Sequence, residues 1–209
     1  MNAPEIFFVG DDALAVKVAA RAARHALAAA LRASGQWVDV VPGKGEVTVQ
    51  FDPLAIPPSQ AEALLRQQAE DIPETEDIPA QTITLHMQAD DAAAPDLARI
   101  AAENGLTPEA FLARIAASPL IVDMMGFTAG FAYVAGVDPA LVAPRLDTPR
   151  QRVPAGSVGM ISGQLGLYAL AGPAGWPVIG RIAEPLFDAR RETPFTLDAG
   201  VRIRLLIER

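Results

Sequence analysis

The sequence predicts two domains, a small α+β domain followed by a mainly β-stranded barrel domain. Helical and strand-like hydrophobic periods alternate over the first 70 residues, whereas short apolar segments separated by Gly and Pro follow from Leu120 onward. A chain of 209 residues can bury two small cores. Its composition, 51% hydrophobic and 20% charged, is typical of a globular protein.

The first domain is predicted to span residues 1–77. Periodicity predicts its elements in this order: a strand at 13–19, a helix from 19 to 33, strands at 37–41 and 46–51, and a helix at 59–70. A Pro-Gly turn joins the second and third strands. This order resembles a ferredoxin-like split βαβ arrangement.

The second domain is predicted to span residues 78–209, after an acidic, proline-containing connection at 71–80. A strand at 82–87 begins it and leaves His86 on the exposed or pocket-rim face. Two helices follow, and Thr107 and Pro108 have the residue types expected at the start of the second. The remaining predicted strands lie at 120–127, 156–163, 166–172, 176–182 and 201–208. Many short strands with turns at this spacing predict a closed or nearly closed barrel.

Charge and composition exclude several classes of function. A net charge of −8 argues against binding to nucleic acid, which requires clustered Lys and Arg. The absence of cysteine excludes disulfides and thiolate chemistry, and only two histidines are present, so we expect no metal site. The N-terminus lacks a signal-peptide pattern and no apolar run is long enough to span a membrane. We therefore expect a cytoplasmic protein without a membrane partner.

The stretch RVPAGSVGMISGQLGLYAL, residues 152–170, spaces four glycines three or four residues apart. It contains neither standard glycine-rich phosphate loop. Ser157 is a near match to a nucleophile elbow, but a strand follows it where a helix is required. With so few histidines to act as a base, we do not expect a serine hydrolase. The glycines are therefore interpreted as turns between strands.

Two further segments, 126–139 and 172–182, place aromatic residues beside glycines. Phe127, Phe131 and Trp176 are candidates for the walls of a ligand pocket, because glycine lets the backbone approach a ligand closely. The same residues are also typical of a hydrophobic core. The spacing leaves both interpretations open.

Three arginines, at positions 145, 150 and 152, follow the first aromatic segment. Guanidinium groups at the mouth of a pocket suit carboxylates or phosphates. Arginines are also common on ordinary protein surfaces. The sequence alone does not separate an anion site from a solvated surface.

Taken in order, GFTAGFAYVAGVDP, PRQRVPAGSVGMISGQLGLYAL and GPAGWPVIGRI resemble the signature of one family. Its members are called allophanate hydrolase subunit 1, KipI-like protein, or the B subunit of bacterial 5-oxoprolinase. The resemblance is strong from Val122 to Ile182 and looser over most of the remaining chain. It implies that the barrel is cyclophilin-like, but this fold name does not imply prolyl isomerase activity.

The resemblance also implies a pocket, although it assigns no catalytic residue. Arg152 and Arg181 would bind a carboxylate or phosphate, Ser157 and Gln164 would supply neutral hydrogen bonds, and aromatic rings would form the walls. The candidate pocket residues are Phe127, Phe131, Arg152, Ser157, Gln164, Tyr168, Trp176 and Arg181.

The function that the resemblance implies is that of a subunit of an ATP-dependent, 5-oxoprolinase-like complex that hydrolyses a small amide. The partner would be a paralogous subunit, similar to allophanate hydrolase subunit 2 or to the C subunit of 5-oxoprolinase. ATP would be bound by this chain or by the complex as a whole. The alternatives are a non-catalytic KipI-like inhibitor of a histidine kinase and a carboxyltransferase component of a biotin-dependent urea carboxylase.

The chain also departs from the family pattern. Ala129 stands where the family usually has proline, and a histidine usually found before that motif is missing, which removes the simplest general acid or base.

Overall fold

The structure, a computed structural model, describes residues 4–70 and 81–208. The chain divides into two compact units, Met1–Ile78 and Pro79–Arg209. The predicted boundary between residues 77 and 78, and the acidic connection at 71–80, lie outside the described residues.

The first unit contains a four-stranded antiparallel sheet and two helices. Its elements are β1 (Ile6–Phe8), β2 (Ala13–Lys17), α1 (Arg21–Ser34), β3 (Asp39–Pro42), β4 (Glu46–Gln50) and α2 (Pro58–Glu70). The strand order is β1-β2-β4-β3. Leu27 and Leu31 of α1 and Leu65 of α2 pack with Val47 and Val49 of β4 in one core, so the apolar face of each helix covers the sheet.

The helices and the last three strands of the first unit lie close to their predicted positions. Strand β1 was not predicted, because its three residues are too short to show a period. It pairs with β2 at the edge of the sheet. The ferredoxin-like form of the prediction is not confirmed.

The second unit is a closed seven-stranded barrel with two helices and a separate two-stranded sheet. Its elements are β5 (Thr82–Gln88), α3 (Leu97–Glu103), α4 (Pro108–Ala117), β6 (Ile121–Met125), β7 (Ala132–Ala135), β8 (Arg150–Val153), β9 (Ser157–Ile161), β10 (Gln164–Leu167), β11 (Gly172–Ala174), β12 (Val178–Ile182) and β13 (Arg202–Glu208). The barrel order is β10-β7-β6-β13-β5-β12-β9, and β8 pairs with β11 outside it. The predicted barrel is therefore confirmed.

The longest strand pair of the barrel is parallel and joins β5 to β13 over seven residue pairs. Strand alternation directs Leu85 and Met87 into the core and leaves Thr84 and His86 on the outer face. Helix α4 adds Phe111 to the same core. Its start is fixed by Thr107, whose side chain accepts a hydrogen bond from the backbone N–H of Ala110. The sequence correctly predicted this helix start.

Candidate functional site

A cavity of about 210 Å³ brings together three arginines of the barrel unit, and we call it the arginine cavity. Its lining residues are Ala92, Ala93, Pro95, Arg150, Arg152, Val153, Pro154, Ser157, Val178 and Arg181. Three of the eight predicted pocket residues, Arg152, Ser157 and Arg181, therefore line one cavity.

Two separate strand pairs position the polar residues of the arginine cavity. Arg150 and Arg152 lie two residues apart on β8, so strand alternation places both side chains on one face. Ser157 of β9 is paired directly with Arg181 of β12. The turn before Ser157 packs against β12, where the backbone N–H of Ile182 donates to the carbonyl oxygen of Gly156 at 2.8 Å.

Arg150 is held by a carboxylate that the sequence analysis did not identify. Asp96 accepts hydrogen bonds from both terminal nitrogens of Arg150, at 2.7 and 2.9 Å. It also accepts one from the backbone N–H of Val178 at 2.6 Å. These hydrogen bonds, together with the nearby negative charge, outweigh partial burial and raise the pKa of Arg150 above its ordinary value. Arg150 thus serves mainly to connect β8 to the start of α3.

The other two arginines of the cavity have no such counter-ion. Among residues 4–70 and 81–208, no carboxylate forms an ion pair with Arg152 or Arg181. Two positive charges facing one small cavity favour a bound anion. Ser157 is buried and its hydroxyl donates to the carbonyl oxygen of Pro154 at 2.8 Å. That donor is therefore engaged in the local turn.

The predicted aromatic residues form a separate cluster centred on Phe131. Its ring makes edge contacts with Tyr168, Tyr133 and Trp176 at centroid distances of 4.9, 4.8 and 6.4 Å. Phe131, Tyr168 and Trp176 are all buried, and burial raises the pKa of Tyr168 above its ordinary value. The cluster is therefore a packed core. Arg145 brings a cation against this cluster, with its guanidinium carbon 5.7 Å from the Trp176 ring centroid.

The two remaining predicted residues lie apart from the arginine cavity. Gln164 begins β10 beside the turn at Ser162 and Gly163, and it pairs with Ile161 at the opposite end of β9 from Ser157. Phe127 is 60% exposed and contacts Phe131 at a centroid distance of 5.2 Å. Neither residue lines the arginine cavity.

An exposed histidine–glutamate pair lies on the outer face of the barrel. His86 Nδ1 is 2.5 Å from Glu184 Oε1, and the backbone N–H of His86 donates to the same carboxylate at 3.0 Å. Burial alone would raise the pKa of Glu184, but the hydrogen bonds from the side chain and backbone of His86 outweigh it and lower the pKa. Neither residue lines the arginine cavity.

We expect Glu184→Gln to lower the free energy of unfolding by about 0.5 kcal/mol at neutral pH, because both side chains are partly exposed. The pKa of Glu184 is depressed on folding, so its contribution is present above the ordinary value of 4.5 and is lost as pH falls through the folded value. Urea unfolding of the variant and wild type from pH 3 to 8 measures this, with Glu208→Gln as the exposed control. A stability difference that persisted unchanged at pH 3 would contradict the assignment.

Two features are absent from the described part of the chain. No helix within it is both long and apolar enough to cross a membrane. The same residues contain no group of three or more His, Asp or Glu side chains arranged to hold a metal ion.

Comparison with known proteins identifies the family. The sequence profile described as "Carboxyltransferase domain, subdomain C and D" matches residues 4–197. The Escherichia coli O157:H7 protein named as the B subunit of 5-oxoprolinase is 34% identical over 170 residues, which cover 81% of this chain and 77% of that protein. The Haemophilus influenzae protein of the same name is 39% identical over 113 residues, which cover 54% of this chain and 53% of the relative.

Solved structures give the same fold. The crystal structure of TTHA0988 superimposes with a TM-score of 0.80 at 32% identity and covers 98% of this chain, which spans 40% of that protein. The Kluyveromyces lactis urea carboxylase superimposes with a TM-score of 0.76 over 99% of this chain and 22% of the enzyme; at 15% identity this likeness concerns the fold alone. The match thus spans about half of the H. influenzae relative and less than half of TTHA0988.

The profile match over nearly the whole chain and the identity to named relatives confirm the resemblance seen in the glycine-rich motifs. The chain belongs to the family of carboxyltransferase subdomains C and D, among the 5-oxoprolinase B subunits and KipI-like proteins.

Proposed function

We propose that this chain is a subunit of a 5-oxoprolinase-like complex that hydrolyses a small cyclic amide, and that the arginine cavity binds the anionic group of the substrate. The observation that carries this proposal is the pair Arg152 and Arg181, which share one cavity without a counter-ion in the described part of the chain. The names of the relatives support the substrate class. A subunit name also supports assembly with other chains, for which we propose a paralogous partner.

The chemical contribution of this chain is to bind and orient. Two guanidinium groups can form charge-assisted hydrogen bonds to the two oxygens of a carboxylate. The fixed anion then holds the amide carbonyl in one position, which lowers the entropic part of the barrier to attack. Because no Asp, Glu or His is among the residues that line the cavity, and the nearby Asp96 is paired with Arg150, we propose that the partner subunit completes the reacting centre.

ATP is the cofactor that the resemblance implies, and the arginine cavity fits only part of it. Its volume of about 210 Å³ is below the roughly 300–1,000 Å³ of sites for drug-sized ligands. The two arginines fit a single phosphate or carboxylate group, and the cavity does not fit a whole nucleotide. We therefore assign no ATP-dependent step to these residues and propose that the complex binds ATP elsewhere.

A direct test is to purify the chain with its paralogous subunit and measure 5-oxoproline-dependent ATP hydrolysis and glutamate formation. We expect Arg152→Ala and Arg181→Ala each to lower kcat/KM by about 10- to 100-fold, the effect of losing one charged hydrogen bond of about 1.5–3 kcal/mol. Arg204→Ala, on the exposed face of β13, is the matched control and should retain activity. Full activity in both cavity variants would remove these arginines from the site.

Carboxyl transfer is the second candidate, and the description of the matched family favours it. The same arginine cavity would then hold the carboxylate being transferred or the anion that accepts it. Carboxylation of a small amide by a biotinylated partner, without net amide hydrolysis, would support this candidate against the first. A complex that performs neither reaction but binds a histidine kinase domain would instead support the KipI-like role.

A further inference from the structure

A second cavity of the barrel unit has a different chemical character. It measures about 630 Å³ and lies between the segments 126–130 and 192–198, with Met125 and Val201 also lining it. We call it the loop cavity. Its volume falls within the roughly 300–1,000 Å³ that small-molecule sites occupy. It shares no lining residue with the arginine cavity.

One wall of the loop cavity has an unusual backbone conformation. Phe127 has a φ of +67°, and the N–H of Thr128 donates across it to the carbonyl oxygen of Gly126 at 2.8 Å. This γ-turn is of the rare, strained kind, and a bulky residue in it costs about 1–2 kcal/mol. The next turn is pinned at Gly130, where an added Cβ would lie 2.7 Å from the Phe187 Cβ. The wall is thus closely packed at Gly130, whereas residues 126–129 are exposed.

The lining of the loop cavity combines apolar surface with hydrogen-bond acceptors. Met125, Pro194, Phe195 and Leu197 supply apolar side chains. Three threonine hydroxyls and two carboxylates supply oxygen atoms, and no Lys, Arg or His lines the cavity. This composition suits a ligand with an apolar body and nitrogen donors.

The two carboxylates of the loop cavity, Glu192 and Asp198, lack basic partners within the described chain. Asp198 accepts a hydrogen bond from the backbone N–H of Ala199 at 2.7 Å, and no ion pair reaches either residue. The adjacent Arg190 and Arg191 both form ion pairs with Asp188. Their Nε atoms lie 3.0 and 3.8 Å from its carboxylate oxygens. Their charges are therefore already directed to another carboxylate.

We propose that the loop cavity is a binding site for a small organic cation with an apolar body, such as an arylalkyl amine. The apolar side chains would contact the body, and Glu192 and Asp198 would pair with the ammonium group. The site has the opposite charge preference to the arginine cavity and does not depend on the function proposed for it.

Benzylamine is the probe, and benzoate is its control of similar size and opposite charge. In an NMR titration of the full chain at low ionic strength, we expect saturable benzylamine binding with a Kd of about 1 mM, as is usual for so small a ligand. Benzoate should bind at least about 10-fold more weakly at this site. Resonance shifts should concentrate on residues 126–130 and 192–198.

Matched variants separate this site from general charge attraction. The double variant Glu192→Gln, Asp198→Asn keeps the side-chain shapes and should weaken benzylamine binding by about 10-fold or more, the loss expected for a charged hydrogen bond. Glu208→Gln, exposed on β13, should leave it unchanged, and Arg152→Ala should leave it unchanged as well. Ala129→Phe, which adds a bulky side chain to the lining of the cavity, provides a second loss-of-binding variant.

Three results would each overturn the proposal: no saturable binding to the wild-type chain at about 20 mM benzylamine, equal binding of benzoate at the same residues, or unchanged affinity in the double variant. The double variant changes only exposed side chains, so its circular dichroism should match that of the wild type. Its binding result therefore decides the question even if Ala129→Phe does not fold. Failure here would leave the arginine-cavity assignment untouched, because Arg152 and Arg181 line a different cavity.

Discussion

Replacing Gly136 by alanine is expected to lower the free energy of unfolding of the barrel unit by about 2–5 kcal/mol. Gly136 follows β7 and has a φ of +90°, and an added Cβ would lie 2.1 Å from the carbonyl oxygen of Pro119. The neighbouring backbone is held by strand pairing, since Ile121 is in register with Ala135. The left-handed conformation costs about 1–2 kcal/mol and the overlap about 1–3 kcal/mol more. The sum is a large part of a typical total stability of about 5–15 kcal/mol.

Gly163→Ala is the matched control for this prediction. Gly163 also has a positive φ, +79°, but an added Cβ would meet nothing within 4 Å. It should therefore show only the conformational cost. Urea unfolding in a Trp37→Phe background, where the fluorescence comes from Trp176 in the barrel unit, measures both variants. Equal stability of the two variants would mean that the chain relieves the Pro119 contact easily.

The sequence predicted the elements whose side chains repeat with a clear period. Helix α4 has a capping Thr107, a proline at its first position and an apolar face, so its start was predicted correctly. Strands β7 and β8 were not predicted. Strand β7 lies within an aromatic and glycine-rich motif that hides its alternation, and β8, with the sequence RQRV, has almost no apolar residues. Such strands become visible only through their pairing partners.

The glycines of residues 152–170 were interpreted as turns, and only some of them are. Gly156 and Gly163 have positive φ angles and lie in turns. Gly159 and Gly166 face each other across β9 and β10. A Cβ added at Gly159 would lie 3.0 Å from the Tyr168 ring, and one added at Gly166 would lie 2.7 Å from the Phe131 ring. They therefore make room for the aromatic cluster, a role that depends on strand register and long-range packing and that local spacing does not encode.

The arrangement of the candidate site also depends on strand register, which local sequence does not encode. Ser157 and Arg181 share the arginine cavity because β9 pairs with β12 and places them opposite each other, and Arg152 reaches the same cavity from β8. The motif match suggested these residues, but only the register separates them from Gln164. Asp96 lies 54 residues from Arg150 in the sequence, and nothing in its local sequence indicates an ion pair. Its role follows only from the folded arrangement.

Replacing Asp96 by asparagine is expected to lower the free energy of unfolding by about 3 kcal/mol. Asp96 is only 6% exposed and accepts three hydrogen bonds, two from Arg150 and one from the N–H of Val178. Breaking a buried ion pair typically costs about 3–5 kcal/mol. The lower end applies here because the Arg150 side chain is 33% exposed and retains access to water. Asp91→Asn, on the exposed loop five residues earlier, should stay within about 0.5 kcal/mol of wild type.

A double-mutant cycle of Asp96→Asn with Arg150→Ala separates the pair from the rest of the site. We expect a coupling free energy of about 1–3 kcal/mol in urea unfolding, because Asp96→Asn removes the counter-ion of Arg150 and Arg150→Ala leaves Asp96 with only the more distant Arg99, at 3.9 Å. Coupling near zero would mean that Asp96 acts mainly through the N–H of Val178.

The Asp96→Asn variant should also respond more strongly to anions than the wild type. Once its counter-ion is removed, Arg150 adds a third uncompensated positive charge to the cavity that Arg152 and Arg181 line. An anion that binds only the folded state stabilises it, and the stabilisation grows with the logarithm of the ratio of anion concentration to Kd. Phosphate should therefore raise the Tm of this variant more than that of the wild type, while sodium chloride at matched ionic strength should not. An equal phosphate effect in both proteins would show that Arg150 does not face the bound anion even when it is released from Asp96.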